Sequence, residues 1–154
     1  MSLYNFANKV PHIVLANDNP DECITFLDAL ENQGIEHIFS LAENGAMLLS
    51  MLDEKEFLPD IIFIDLNMKG ISGKDCLVAI RGCIQLDYIP VIVYASAVDD
   101  LDIEYCFNQK ANMYIVKSSF ANKLSDLLET VLQLPLNKLL SVEKDQFLKE
   151  MIMS

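Results

Sequence analysis

Short runs of β-branched and aliphatic residues alternate along the chain with stretches whose apolar positions recur every three or four residues, which is the pattern of successive βα units. Five such units can be counted. The first strand is predicted at about 12–16, and Asn19-Pro20-Asp21-Glu22 then opens a helix in which Cys23, Phe26, Leu27 and Leu30 recur at helical spacing before it ends near Gly34. Pro20 suits the first helical turn, where its missing N–H does no harm. The same reading gives a strand at about 37–41, a helix at about 45–53 carrying Met47, Leu48, Met51 and Leu52, and a strand at 61–65 introduced by Pro59-Asp60. A helix from about Gly73 to Ile84 presents Cys76, Leu77, Ile80 and Ile84 on one side, and Pro90 introduces a strand over Val91-Ile92-Val93-Tyr94. The last unit has a helix at about 99–109, a strand at about 113–116, and a helix at about 119–133 burying Phe120, Leu124, Leu127, Leu128, Val131 and Leu132. Strands three and four are apolar on both faces, so helices must cover both sides of the sheet. The expected class is α/β, a five-stranded parallel sheet in a three-layer αβα sandwich.

Beyond Leu134, the pair Pro135-Leu136 precedes a stretch from Ser141 to Met153 in which Phe147, Leu148, Met151 and Ile152 recur at helical spacing. An extra terminal helix is expected there, either packed on the domain or mediating a homodimer. The chain divides into a lead-in at 1–9, a domain at 10–134 and an extension at 135–154. That extension is too short for an output domain, so a stand-alone module is expected. At 154 residues a single domain buries roughly 70% of its unfolded surface without staples.

Composition narrows the function. The hydrophobic fraction is 52%, yet no uninterrupted apolar stretch approaches the roughly 20 residues of a membrane span. Met1-Ser2-Leu3-Tyr4-Asn5 lacks a basic n-region and an apolar h-region, which makes the cytoplasm the expected location. Cys23, Cys76, Cys83 and Cys106 show no zinc spacing and are expected to be reduced, buried thiols. With 23 acidic and 11 basic residues the net charge is −12, which opposes binding to a phosphate backbone and excludes nucleic acid as the expected partner. His12 and His37 sit at strand beginnings, away from the candidate chemistry.

That chemistry lies at the other ends of the strands. Ile13-Val14-Leu15-Ala16 ends in Asn17-Asp18, Ile61-Ile62-Phe63-Ile64 ends in Asp65, and Tyr114-Ile115-Val116 ends in Lys117. In a parallel sheet the carboxyl ends share one edge, where doubly wound folds place their ligands. Two acids and a base gathered there suit a divalent cation and a phosphoryl group.

Three segments in this order resemble the receiver domain of two-component response regulators. They are Val14-Leu15-Ala16-Asn17-Asp18-Asn19-Pro20, Ile61-Ile62-Phe63-Ile64-Asp65-Leu66-Asn67-Met68 with Gly70 and Gly73 following, and Ala111-Asn112-Met113-Tyr114-Ile115-Val116-Lys117. The resemblance covers about 12–134 and implies a flavodoxin-like topology. It implies that Asp65 accepts a phosphoryl group from a phosphohistidine on a histidine kinase or histidine phosphotransfer protein, within a phosphorelay. It further implies that Mg²⁺ is held by Asp18, Asp65 and the backbone carbonyl of Asn67, and that Lys117 pairs first with Asp65 and then with the phosphoryl oxygens. Mg²⁺ takes oxygen ligands and retains waters, so few protein ligands suffice.

The chain also departs from the family pattern. Asn17 stands where a second acid is usual and brings no negative charge, which weakens metal binding. Ala95 replaces the usual Thr or Ser after strand four. A hydrogen bond to a charged group is worth about 1.5–3 kcal/mol, so losing that hydroxyl reduces a population shift roughly ten- to 150-fold. Ser96 substitutes for it only if the strand ends in a bulge. Tyr114 is either the family's switch aromatic or an ordinary strand aromatic. Ser118 and Lys69 replace common prolines, and a cis bond before Ser118 would cost about 2.5–4 kcal/mol.

The expected function is therefore a single-domain receiver that signals through protein contacts and is not an enzyme. The alternative is a pseudo-receiver, an interaction module that acts without phosphorylation. An aspartate-nucleophile phosphohydrolase is disfavoured because its second aspartate, two residues on, is here Asn67.

Overall fold

In the computed structural model, which describes residues 9–117 and 121–150, the apolar runs form strands of one parallel sheet. The strands are β1 (His12–Ala16), β2 (Ile38–Ala42), β3 (Ile61–Ile64), β4 (Val91–Ala95) and β5 (Met113–Val116), joined at the β5 edge by a short β6 (Leu148–Glu150). Their order is β2-β1-β3-β4-β5-β6. The direction of winding reverses between β1 and β3, and a crevice opens there beyond the carboxyl ends of the strands.

The helices are α1 (Pro20–Asn32), α2 (Gly45–Leu52), α3 (Gly73–Arg81), α4 (Asp100–Asn108) and α5 (Ala121–Gln133), followed by the single turns α6 (Leu136–Leu139) and α7 (Lys144–Phe147). Asn19, Asn44, Ser72 and Asp99 cap the first four, each side chain accepting the backbone N–H three residues on. Such caps are worth about 1 kcal/mol each and fix where each helix starts relative to the strand before it.

Alternation along the strands splits the core in two. Val14, Ala16, Ile62, Ile64, Val91 and Val93 pack with Leu48 and Leu52 of α2 and Cys76, Leu77 and Ile80 of α3. Ile13, Leu15, Ile61, Phe63, Ile92 and Tyr94 pack with Phe26 and Leu30 of α1 and Leu124, Leu128 and Leu132 of α5. Phe26 stands edge-on to Phe63 and Tyr94, with ring centroids 5.1 and 5.6 Å apart. The strand residues carrying the candidate chemistry therefore continue from a sheet that is buried on both faces.

Three expectations need correction. Helix α3 stops at Arg81, so Ile84 lies in a following 3-10 turn and is 81% exposed. The Arg81 guanidinium takes over there, donating to the carbonyls of Lys110, Leu86 and Ile89 and to Asn112 Oδ1, which ties the loop beneath β4 in place of another helical turn. Cys83, just past the helix end, is half-buried, whereas the other three thiols are buried. The helix expected from Ser141 onward is one turn, α7, after which Leu148–Glu150 add to β5 in parallel register. An unpaired sheet edge presents free N–H and C=O groups, and satisfying these outweighs a helical period in so short a stretch. Leu139 and Phe147 are buried, one on each side of the sheet, so this C-terminal segment packs on the domain. Met151, Ile152, Ser118, Phe120 and residues 1–8 lie outside the described residues.

Candidate functional site

Asp65 follows the last residue of β3, and its N–H continues the ladder to Ala16 O at 2.9 Å. That bond fixes the backbone where the carboxylate emerges. The residue is only 3% exposed. Its Oδ1 accepts the Asn67 N–H at 3.0 Å, turning the chain sharply after the strand, and its Oδ2 accepts from Lys117 Nζ at 3.0 Å. Gly73 closes the site from below. A Cβ there would lie 2.2 Å from the Asp65 carbonyl oxygen, so only glycine lets α3 start so close to the acidic strand end.

Lys117 arrives from β5, with its backbone N–H on Ala95 O at 2.6 Å and its side chain 11% exposed. Its ammonium lies 5.3 Å from the centroid of the Tyr94 ring. Burial, followed by the charges of Glu22 and Asp65, pushes the Tyr94 phenol far above its usual value. Tyr94 therefore contributes a ring face to the site and no anion.

A second carboxylate also reaches Lys117. Glu22 Oε1 lies 2.7 Å from Nζ and 3.0 Å from Asn17 Nδ2. Burial raises the Glu22 carboxyl, but the hydrogen bonds from Lys117 and Asn17 together with the Lys117 charge outweigh it, and the net shift is below the ordinary value of 4.5. Sequence reasoning missed Glu22 as a site residue. The signal was present: an acid three residues past an N-cap, in a helix that starts directly beyond a strand end, points back over that end.

Asn17 is 1% exposed, and its Oδ1 accepts the Asn19 N–H at 2.8 Å. Asp18 projects from the same strand end, where its Oδ2 accepts the Lys69 N–H at 2.9 Å and so draws the loop after β3 towards β1. Asn67 is exposed beside Asp65. The structure thus brings together Asp65, Lys117, Asn17 and Glu22, with Asp18 on the adjoining strand end. Ala95 is 3% exposed and pairs in regular register with Val116, so β4 has no bulge to turn the exposed Ser96 inward. Tyr114 lies on the α4 side of the sheet, 1% exposed, with its hydroxyl donating to Ala97 O at 3.1 Å.

A family model described as "Response regulator receiver domain" matches residues 13–129. The chain belongs to the response regulator receiver family. This receiver is 25% identical over 130 residues to response regulator Rcp1 of Synechocystis sp., an alignment that covers 81% of this chain and 86% of the relative. It is 26% identical over 109 residues to the probable methanogenesis regulatory protein FilR2 of Methanothrix harundinacea, covering 68% and 70% of the two chains. The crystal structure of the phosphorylated cyanobacterial phytochrome response regulator RcpA superposes with a TM-score of 0.72 at 26% identity, covering 80% of this chain and 91% of that one. The Mn²⁺-bound form of Rcp1 matches in fold, with a TM-score of 0.69 at 22% identity over 79% and 91% of the chains. Membership in the family makes this a two-component signalling protein rather than an enzyme, and two-component signalling implies a histidine kinase partner. No helix among the described residues is long and apolar enough to cross a membrane.

Receiver domains typically bind a divalent cation. Among the described residues no group of three or more His, Cys, Asp or Glu side chains could hold one. The donors present are the Asp18 and Asp65 carboxylates beside backbone oxygens, an all-oxygen set that fits a hard cation with water in its remaining positions.

Proposed function

We propose that Asp65 accepts a phosphoryl group from a phosphohistidine of a histidine kinase or phosphotransfer protein, and that the acyl phosphate alters a protein contact. The observation that supports this most directly is the Lys117 ammonium 3.0 Å from a buried Asp65 carboxylate at the sheet's switch point. In the transfer an Asp65 carboxylate oxygen attacks phosphorus, a P–O bond forms and the P–N bond breaks, and the electron pair returns to the imidazole nitrogen, which takes up a proton. Asp65 is positioned for this by its bonds to Ala16 and Asn67, and Lys117 balances the charge that builds on the phosphoryl oxygens. Asp18, Asp65 and the Asn67 carbonyl would hold Mg²⁺, which when bound adds positive charge against the phosphoryl oxygens. Burial of Asp65, only 3% exposed, limits water at the carboxylate.

A second reading, a receiver that acts through its contacts without phosphorylation, is favoured by the buried methyl of Ala95 where the family pattern has a hydroxyl. Mass spectrometry after incubation with acetyl phosphate and Mg²⁺ separates the two. The proposal expects a phosphoryl adduct on the natural chain that is absent from Asp65→Asn. A folded natural chain without the adduct would transfer the assignment to the phosphate-independent module.

A further inference from the structure

Asn17 is buried and its orientation is fixed. Its Oδ1 takes the Asn19 N–H at 2.8 Å, which leaves Nδ2 as the donor facing Glu22 Oε1 at 3.0 Å. That same oxygen receives Lys117 Nζ at 2.7 Å, and Nζ also reaches Asp65 Oδ2 at 3.0 Å. Glu22 is itself anchored, because its backbone N–H bonds the Asn19 side chain and Pro20 sets the first turn of α1. The four side chains form one hydrogen-bonded line, amide to carboxylate to ammonium to carboxylate.

We propose that Glu22 is a positioning residue for Lys117, supplying from the first turn of α1 the negative charge that Asn17 lacks and holding the ammonium beside Asp65. The inference rests on the reading of Asp65 as the phosphoryl acceptor. An acid at position 17 would place two carboxylates about 3 Å apart, where like charges repel. The amide at 17 and the acid at 22 are therefore complementary, and exchanging one without the other breaks the pair. Before transfer Lys117 divides its charge between two carboxylates. Once the phosphoryl group adds charge at Asp65, the ammonium shifts towards it and Glu22 keeps its bond from Asn17.

The test uses the full chain and the variants Glu22→Gln, Asn17→Asp and the double exchange. Three quantities are measured: the NMR signal of the Lys117 ammonium, thermal stability, and the rate of adduct formation with acetyl phosphate and Mg²⁺. Glu22→Gln is expected to lose the protected ammonium signal and to slow adduct formation about two- to fivefold, the range of a partly exposed ion pair. Asn17→Asp alone is expected to lower the melting temperature. The double exchange, with acid and amide swapped, is expected to recover the ammonium signal and most of the stability, a coupling that independent sites would not show. An unchanged Lys117 signal in Glu22→Gln, no protected signal in the natural chain, or purely additive effects would each overturn the proposal. Should the natural chain take no phosphoryl group, the reading of Asp65 as phosphoryl acceptor fails while the ammonium signal and the stabilities still decide the role of Glu22. If Glu22→Gln does not fold, Glu22→Asp, one methylene shorter, reports the same loss of reach.

Discussion

Gly73→Ala puts a methyl group where the fold has no space for one. The new Cβ would lie 2.2 Å from the Asp65 carbonyl oxygen, 2.6 Å from Leu66 Cα and 2.8 Å from the Asp65 carbonyl carbon, whereas ordinary contact begins near 3.4 Å. All three neighbours are backbone, so no rotamer change relieves the clash. Helix α3 must retreat by roughly an ångström, and in doing so it stretches the Gly73 N–H bond to Leu66 O, now 3.1 Å. Overpacking costs about 1–3 kcal/mol, with the upper end applying against rigid backbone, and the weakened hydrogen bond adds about 1 kcal/mol. Replacing glycine in a helix returns about 1 kcal/mol. The expected loss is about 2–3 kcal/mol, a large share of the roughly 5–15 kcal/mol that holds a domain of this kind together. Gly82→Ala, at the other end of the same helix, is the control. Its Cβ meets only the Val78 and Ala79 carbonyls at 3.4 and 3.5 Å, so it should be neutral or stabilising by up to about 1 kcal/mol. Urea denaturation followed by far-UV circular dichroism measures both. A Gly73→Ala protein as stable as Gly82→Ala would refute the close approach of α3 to the acidic strand end.

Two further perturbations probe other parts of the molecule. Phe147 is 1% exposed and packs edge-on to Phe107 at 5.3 Å, so Phe147→Ala should cost about 3 kcal/mol, limited by what the docked C-terminal segment contributes. Deletion from Ser141 onward should cost about the same in denaturant; a Phe147→Ala loss below about 0.5 kcal/mol would show the segment undocked in solution. Burial pushes Cys106 up to about 12 and Cys76 to about 11, from an ordinary 9.0. A thiol with a raised folded value stabilises fully below the unfolded value and loses that contribution as pH climbs through the folded one. Stability should therefore fall between pH 9 and about 11–12, less steeply in Cys106→Ala, and denaturation midpoints across that range check it.

The sheet, its two-sided burial and the edge that carries the acids were legible because strand runs such as Ile61-Ile62-Phe63-Ile64 are short, wholly apolar and followed at once by a polar residue. Asp65 and Lys117 could be placed together because both leave a buried strand at its carboxyl end, and the backbone alone decides that. Glu22 could not be placed so readily, since its position depends on which way the first turn of a helix faces relative to the strand before it. The C-terminal segment was misjudged in length for a different reason. Phe147 and Leu148 satisfy a helical period and also an apolar residue followed by an edge strand, and the choice is made by the open side of β5, which local sequence does not reveal. Ile84 was assigned to a helix that ends early because Arg81 reaches four acceptors at once, a tertiary preference that helical spacing cannot register.

The departures from the family pattern bear on one another through Lys117. With a methyl at Ala95, position 95 has no hydroxyl to follow a phosphoryl group, which forgoes a contact of about 1.5–3 kcal/mol. The connection that remains is through β5: Lys117 bonds Ala95 O through its backbone and Asp65 through its side chain, so displacing the ammonium pulls on the end of that strand. Tyr114, three residues earlier, is held inward by Ala97 O and backed by Phe147, while Leu148 pairs beside it at the sheet edge. Under the proposed phosphorylation, the energy available to loosen these contacts is what Lys117 gains by leaving Glu22 for the phosphoryl group. A firmer Glu22–Lys117 pair would leave less for the strand, and a weaker one would leave Lys117 misplaced before transfer. The partial exposure of Glu22, with a third of its side chain in contact with water, keeps that pair in the modest range where a charged ligand can still outbid it.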